Sequence, residues 1–286
     1  MSHQTTRKVK KKTSISLRIK YIYIDYQWRK DSKHHVKHLI NLLDSFQEKI
    51  HVYQVKRITS SEHQARTIRY QILMEYAIKN NYNHIITAHT NTDKLETFFI
   101  QLFRGSSLEG ITSLNKFQKI TENISILRPL LIISRKETYY FCRLFSLPIW
   151  SDISNYNYKT YRNRIRHELI PYLNKYFGKH TLKHIHSFIS TAHNENEYIK
   201  QNALKLYLIA RHKKYIALNS QIITKQHSSI KTRTIYIFFY HNFNKILDKN
   251  ILYKLIYYLN KGIINKKTFF WHNIKIHLQY GWIYIN

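Results

Sequence analysis

Between residues 17 and 103, short apolar segments rich in β-branched residues alternate with longer segments of helical spacing. That alternation constrains the fold more than any other feature of the chain. Leu17–Asp25 (LRIKYIYID) reads as a strand buried on both faces. Val36, Leu39, Ile40, Leu43 and Phe46 then recur at helical spacing, and His51–Val55 reads as a second strand. Ile68, Ile72, Leu73, Tyr76 and Ala77 share one face of a helix over 61–80. His84–Ala88 (HIITA) is a short buried strand, followed at once by a helix from about Thr92 to Phe103. Strands and helices spaced this way build βαβ units and a parallel sheet.

After Pro148 the pattern changes. Tyr161–Phe177 is Arg-rich and helical, with Pro171 marking a break or a new helix start. Further helices are predicted over 187–211, 229–242 and 248–260. At the end Ile274, Ile276, Leu278 and Tyr280 alternate with polar residues, and Gly281 offers a turn before Trp282. The predicted organisation is a basic tail over 1–16, an α/β domain over 17–180, a helical linker over 181–215 and a small α+β domain over 216–286.

Charge limits the partners. Lys and Arg total 47 against 16 Asp and Glu, a formal net charge of +31, which points to a polyanion and to nucleic acid first. A hydrophobic fraction of 43% and an aromatic fraction of 15% argue against intrinsic disorder. No run reaches the roughly 18 apolar residues of a membrane span, so no membrane partner is expected. The lone Cys142 excludes an internal disulfide, a CxxC pair and a multi-cysteine zinc site. His34, His35 and His38, and the pair His180 and His184, lack supporting cysteines or carboxylates and read as surface histidines.

The segment with the most chemistry is HIITAHTNTDKLETFFIQLFRGSSLEG, residues 84–110. His89 follows a buried strand, at the carboxyl edge where open α/β sheets bind ligands. Leu95, Phe98, Phe99, Leu102 and Phe103 form the helix's apolar stripe, so Asp93 and Glu96, spaced i,i+3, project together. Three such groups would hold a divalent metal or a cationic amine; two acids in a first turn would equally well complement the helix dipole. Arg66, Arg69 and Tyr70 fall within one helical turn. Arg162, Arg164 and Arg166 form a dense cluster suited to phosphate oxygens, or else a solvated helix face.

Taken together, DYQWRKDS (25–32), EHQARTIRY (62–70), TAHTNTDKLETFFIQLFRGSSLEGI (87–111), RPLLIISRKE (128–137) and DISNYNYKTYRNRIRHELIP (152–171) resemble the tRNA(Ile)-lysidine synthase family, specifically its plastid-type members. The resemblance runs over about residues 17–180. It implies the fold of an N-type ATP pyrophosphatase, a Rossmann-like parallel sheet followed by a helical and α+β C-terminal region that positions tRNA. It further implies an ATP-dependent ligation of free L-lysine onto C2 of the wobble cytidine (C34) of an isoleucine tRNA with a CAU anticodon. On this reading ATP adenylates the C2 oxygen, and the lysine ε-amine then expels AMP, giving lysidine. His89, Asp93, Glu96 and Arg66 are the implied catalytic residues, with Asp93 and Glu96 as candidate Mg²⁺ ligands. Arg69, Arg104, Arg162, Arg164 and Arg166 are the implied RNA or phosphate contacts. A related tRNA thiolase is excluded by the single cysteine.

The pattern departs from the family at one decisive place. Its Ser-Gly-Gly-x-Asp-Ser loop wraps pyrophosphate with backbone N–H groups at a helix N-terminus. Here the five glycines are Gly105, Gly110, Gly178, Gly262 and Gly281, so no ATP-binding loop of that kind precedes residue 105. Tyr26 and Thr90 also stand where relatives often place histidine. The expectation is that the 286 residues alone bind ATP poorly, that a separately encoded N-terminal piece or a different start supplies the loop, and that a catalytically inactive basic tRNA-binding remnant is the alternative function. Homodimerisation is left open. Abundant Lys, Asn, Ile, Tyr and Phe point to an AT-rich genome and the plastid stroma, with the cytoplasm of an AT-rich bacterium as the alternative.

Overall fold

Residues that alternate in the sequence pair in parallel in the structure, a computed structural model that describes residues 17–27, 31–56, 61–149, 158, 160–261 and 267–285. The basic tail over 1–16, Trp28–Lys30 of the first motif, and Asp152, Ser154 and Asn155 lie outside the described residues. Strand β1 (Tyr21–Asp25) leads through helix α1 (Ser32–Ser45) to β2 (Ile50–Gln54), and the two strands pair in parallel with Tyr21 opposite Ile50. Helix α2 (Glu62–Lys79) starts at Ser61, whose hydroxyl accepts the Gln64 N–H at 3.2 Å. It leads to β3 (His84–Ile86), and helix α3 (Asn91–Phe103) follows.

The short helix α4 (Leu108–Ile111) precedes strand β4 (Phe117–Lys119) and strand β5 (Ser125–Leu127). Strand β5 pairs in parallel with β3 and antiparallel with β4. The parallel α/β expectation is therefore met in both pairs, β1–β2 and β3–β5, although β4 adds an antiparallel edge that the sequence pattern did not suggest. Helix α5 (Arg135–Leu144) begins with a reciprocal cap: Ser134 N–H donates to Glu137 at 2.7 Å, and Glu137 N–H to the Ser134 hydroxyl at 3.2 Å.

Pro171 does not break its helix. Tyr161–Arg164 (α6) runs through a π-helical turn, Ile165–Leu169, into Ile170–Tyr176 (α7). A proline lacks an N–H and crowds the carbonyl four residues back; a wider turn directly before it relieves both problems. That turn also carries Arg166, which matters below.

The chain divides into two units, residues 1–106 with 113–185, and residues 107–112 with 186–286. Within the first, Ala77, Ile85, Ile124 and Ile126 form a small apolar cluster, with Tyr70, Leu73, Met74 and Tyr82 packed around it. The second is richer. Helix α8 (Thr181–Ala210), α9 (Ser220–Thr224), α10 (Ser228–Phe243) and α11 (Lys249–Asn260) pack with a sheet ordered β6 (Ala217–Asn219), β9 (Trp282–Ile285), β8 (Ile274–Gln279), β7 (Lys267–Trp271). The end of the segment read as a linker is core here, since Leu206, Tyr207 and Ala210 are buried among Phe238, Phe239, Leu255 and Trp271. Among the described residues no helix is long and apolar enough to cross a membrane.

Candidate active site

The site grows from the carboxyl end of β3. Thr87 N–H still donates to the Leu127 carbonyl at 3.0 Å, so the parallel pairing holds up to the loop that carries His89. The Thr87 hydroxyl lies 2.9 Å from His89 Nδ1 and fixes the ring. Thr90 then ends the loop: its N–H and its hydroxyl both donate to Asp93 Oδ2, each at 2.8 Å. Asp93 thus supplies the reach-back half of a helix cap, and its other oxygen lies 3.8 Å from Arg166 Nη2.

Glu96 sits one turn further along α3 and is wholly buried. Arg166 grips it with two bonds, Nε to Oε1 at 2.6 Å and Nη2 to Oε2 at 3.0 Å. Arg162 brings Nε to 3.2 Å from Oε2 without hydrogen-bond alignment, while its Nη1 pairs with Glu62 of α2. A buried carboxylate demands such partners, and a bidentate guanidinium is the strongest available. Burial pushes the Glu96 carboxyl up from its ordinary value, and the bonds and charge of Arg166 oppose that push.

This geometry corrects the expectation that Asp93 and Glu96 form a metal pair. Glu96 has both oxygens committed to arginine, and Asp93 has one committed to the cap. Among the described residues no group of three or more His, Cys, Asp or Glu is placed to hold a metal ion. It also corrects the role expected of Arg162 and Arg166. Both are turned inward onto Glu96 and tie the Arg-rich helix to α3, so they do not present phosphate-binding forks. Arg164 does face outward, paired at 3.2 Å with Glu168. Arg104 is exposed at the opposite end of α3, about 16 Å from Asp93 at 1.5 Å per residue, and the structure does not bring it to the site.

Arg66 and Arg69 lie near enough to His89 for their charges to bear on its ring. Both are partly buried on α2, with guanidinium carbons 5.2 and 5.8 Å from the centre of the Tyr70 ring. Tyr26 donates its hydroxyl to the Ala65 carbonyl at 2.9 Å and so ties the end of β1 to this turn of α2. Just before it, Asp25 is buried and accepts the Ser32 hydroxyl and the Gln27 N–H. Burial lowers the Arg66 pKa, and the charges of Arg69, Arg162 and Arg128 add to that fall.

Arg128 is the residue that sequence reasoning did not single out. It follows β5 and is 1% exposed. It donates to the Asn115 carbonyl at 2.8 Å and to Gln118 Oε1 at 3.0 Å, while its Nε has no hydrogen-bond partner. Among the described residues no carboxylate lies within 4 Å of it. A buried guanidinium without a counter-ion is costly unless an anion joins it. Its signal was there to read: an arginine directly after a buried strand (Ser125–Leu127), at the same sheet edge as His89.

Burial first, and these charges second, set the state of His89. Burial drives its pKa from 6.5 down to about 4, and the cations Arg128, Arg66 and Arg69 push the same way against Asp93. The ring is therefore neutral at pH 7, set between one carboxylate and three guanidiniums.

A family model described as a PP-loop domain, ATP_bind_3, matches residues 3–173. The chain is 46% identical over 268 residues to the chloroplastic tRNA(Ile)-lysidine synthase of Gracilaria tenuistipitata var. liui, covering 94% of this chain and 83% of that protein. It is 34% identical over 246 residues to the chloroplastic tRNA(Ile)-lysidine synthase of Pyropia yezoensis, covering 86% of this chain and 75% of the relative. The chain belongs to the tRNA(Ile)-lysidine synthase family. Membership fixes the PP-loop fold for the first unit and with it a use of ATP. Among solved structures, the U34-tRNA thiolase NcsA from Methanococcus maripaludis with its [4Fe-4S] cluster superposes at a TM-score of 0.46 and 11% identity, over 66% of this chain and 68% of that one, too distant to carry a residue role.

Proposed function

We propose that this chain is the ligase that its family membership implies. It joins L-lysine to C2 of the wobble cytidine of an isoleucine tRNA with a CAU anticodon, converting ATP to AMP and pyrophosphate. The observation that carries the reading is the gathering of His89, Asp93, Arg66, Arg69 and Arg128 at the carboxyl end of β3, in a chain 46% identical to a named lysidine synthase. The reading as an inactive remnant has no comparable support.

The residues divide the work by charge. In the first step the cytosine C2 oxygen attacks the α-phosphorus of ATP and pyrophosphate leaves. Arg66, Arg69 and Arg128 supply the positive field for the phosphoryl oxygens, and the unpaired Nε of Arg128 is a spare donor. In the second step the lysine ε-amine attacks C2 and AMP leaves with the C–O electron pair. That amine must first shed a proton to solvent water, from a pKa near ~10.4. Asp93 is the carboxylate placed to hold the ammonium, because Glu96 is occupied by Arg166. A neutral His89 with a pKa of about 4 is too weak a base to take the proton at pH 7, so it orients a substrate group by hydrogen bonding. Glu96, Arg162 and Arg166 act as positioning residues that hold the first turn of α3 in place. Mg²⁺ held by Asp93 and Glu96 together does not fit this arrangement, and no step here depends on it.

Residues 1–104 hold no glycine, so they contain no loop of the Ser-Gly-Gly-x-Asp-Ser type. With relatives named chloroplastic, the plastid stroma is the proposed site of action. The test uses the chain as it stands and the chain with a Ser-Gly-Gly-x-Asp-Ser segment placed before residue 1. Each is incubated with CAU-anticodon tRNA, ATP and labelled lysine. ATP-dependent label in tRNA, strong with the added segment and weak without it, is the expected result. Tight tRNA binding by both with label in neither would overturn the ligase reading.

A further inference from the structure

The second unit carries a groove that the reaction does not use. It has a volume of about 550 Å³ and is lined by His212, Lys214, Tyr215, Tyr280, Trp282 and Tyr284, among others. Its floor is built rigidly. His212 Nδ1 accepts two backbone N–H groups, from Lys214 at 3.1 Å and Tyr215 at 3.0 Å, and the ring packs edge-on to Trp282 at 5.2 Å. With Nδ1 accepting, a neutral ring keeps its hydrogen on Nε2 as a donor.

Tyr280 is the telling residue. It and Gly281 form the two-residue turn between β8 and β9, with φ of 51° and 76°. Such turns favour Asn, Asp or Gly at the first position, since positive φ strains a bulky side chain. Gly281 suits its positive φ, and a Cβ there would also press on the end of the Gln221 side chain at 3.0 Å. An aromatic at position 280 would make sense if packing rewarded it, yet Tyr280 is 78% exposed and Tyr215 72%. Strain kept without burial points to a partner.

Charge says which partner. Residues 198–286 contain 15 Lys and Arg and a single acidic residue, Asp248. A second copy of the same face would be repelled, whereas a polyanion would be drawn in. Exposed aromatic rings flanked by lysine are how proteins hold unpaired nucleobases: the rings stack on the base and the cation meets the backbone.

We propose that this groove is a nucleobase-binding site that takes an unpaired base of the tRNA, stacked on Tyr280 and Tyr215, with Lys214 meeting an adjacent phosphate. The inference rests on the tRNA reading above, and its test separates the two. In the full chain, Tyr280→Gly relieves the strained turn, so its thermal midpoint holds or rises. Its affinity for CAU-anticodon tRNA should nevertheless fall about tenfold to hundredfold, the range of one lost stacking contact, while Tyr280→Phe keeps wild-type affinity. Tyr215→Ala should weaken binding in the same way. Unchanged tRNA affinity in both Tyr280→Gly and Tyr215→Ala overturns the site while leaving the ligase reading intact. A loss confined to ATP affinity, or a change only in the sedimentation of the chain alone, overturns it in favour of a free nucleotide or a chain–chain contact. Failure of the wild-type chain to bind the tRNA at all overturns both readings.

Discussion

The two units of this molecule are held together by different physics. Of the twelve bulkiest side chains that are almost wholly buried among the described residues, eleven are apolar and lie in the second unit; the twelfth is Arg128, in the first. The second unit is a dense aliphatic and aromatic core in which Phe239 packs edge-on against Trp271 at 5.3 Å. The first has a small apolar cluster and a buried ionic knot of Glu96, Arg166 and Arg162. The contrast teaches that where this chain must hold charged groups in place it spends burial on ions, and where it only needs rigidity it uses rings. A region meant to hold anions can tolerate buried arginines only if it also keeps the few carboxylates that fix them.

The contrast can be broken most forcefully at Glu96. Glu96→Ala would strand Arg166 in the interior and should cost about 3–5 kcal/mol, measured by urea unfolding of the first unit. Replacing both partners with apolar residues should return much of that loss. If Glu96→Ala costs less than about 1 kcal/mol, the knot is not what holds this unit. Phe239→Ala should cost about 3–5 kcal/mol in the second unit, by cavity formation. That loss should be insensitive to salt, and a marked salt dependence would erase the distinction between the units.

A smaller effect is expected with pH. The folded-state pKa of His89, about 4, lies below its unfolded value near 6.5. Between those values the unfolded chain binds the extra proton, so stability falls as pH drops from 6.5 toward 4. His89→Asn should flatten that part of the pH–stability curve, and an unchanged slope would mean the ring is not held neutral. The smallest stability change belongs to Asp93→Asn. An amide oxygen can still accept from Thr90, so the loss should stay below about 1 kcal/mol.

Much of the first unit was legible because its signals are local. The strand Tyr21–Asp25, the helix Glu62–Lys79 and the strand–loop–helix around His89 each announce themselves within about twenty residues. Strands β4 and β5, three residues each, are too short to show alternation. Helix α5 was missed although Ser134 and Glu137 spell out its cap. The closeness of His89 and Asp93 to one another was readable from their spacing, and their charge interaction with Arg66 is a tertiary one. What no local pattern shows is that Glu96 finds Arg166 seventy positions away, which changes one from a candidate ligand and the other from a candidate phosphate contact into a structural pair. The π-helical turn that aims Arg166 was hidden for the same reason, although Pro171 marked the start of the α-helical segment that follows it.

Asp93→Asn is also the most direct probe of the central claim, that the carboxylate at the start of α3 holds the lysine for attack. The measurement is lysidine in tRNA by nucleoside mass spectrometry, made alongside the thermal midpoint, on the chain carrying the added glycine loop. The account predicts a midpoint close to that of the unsubstituted chain, retained tRNA binding and a loss of lysidine of at least about hundredfold, set by the missing charge. Lysidine formed at the unsubstituted rate by a well-folded Asp93→Asn chain would contradict it, and Asp93 would then be a helix cap alone.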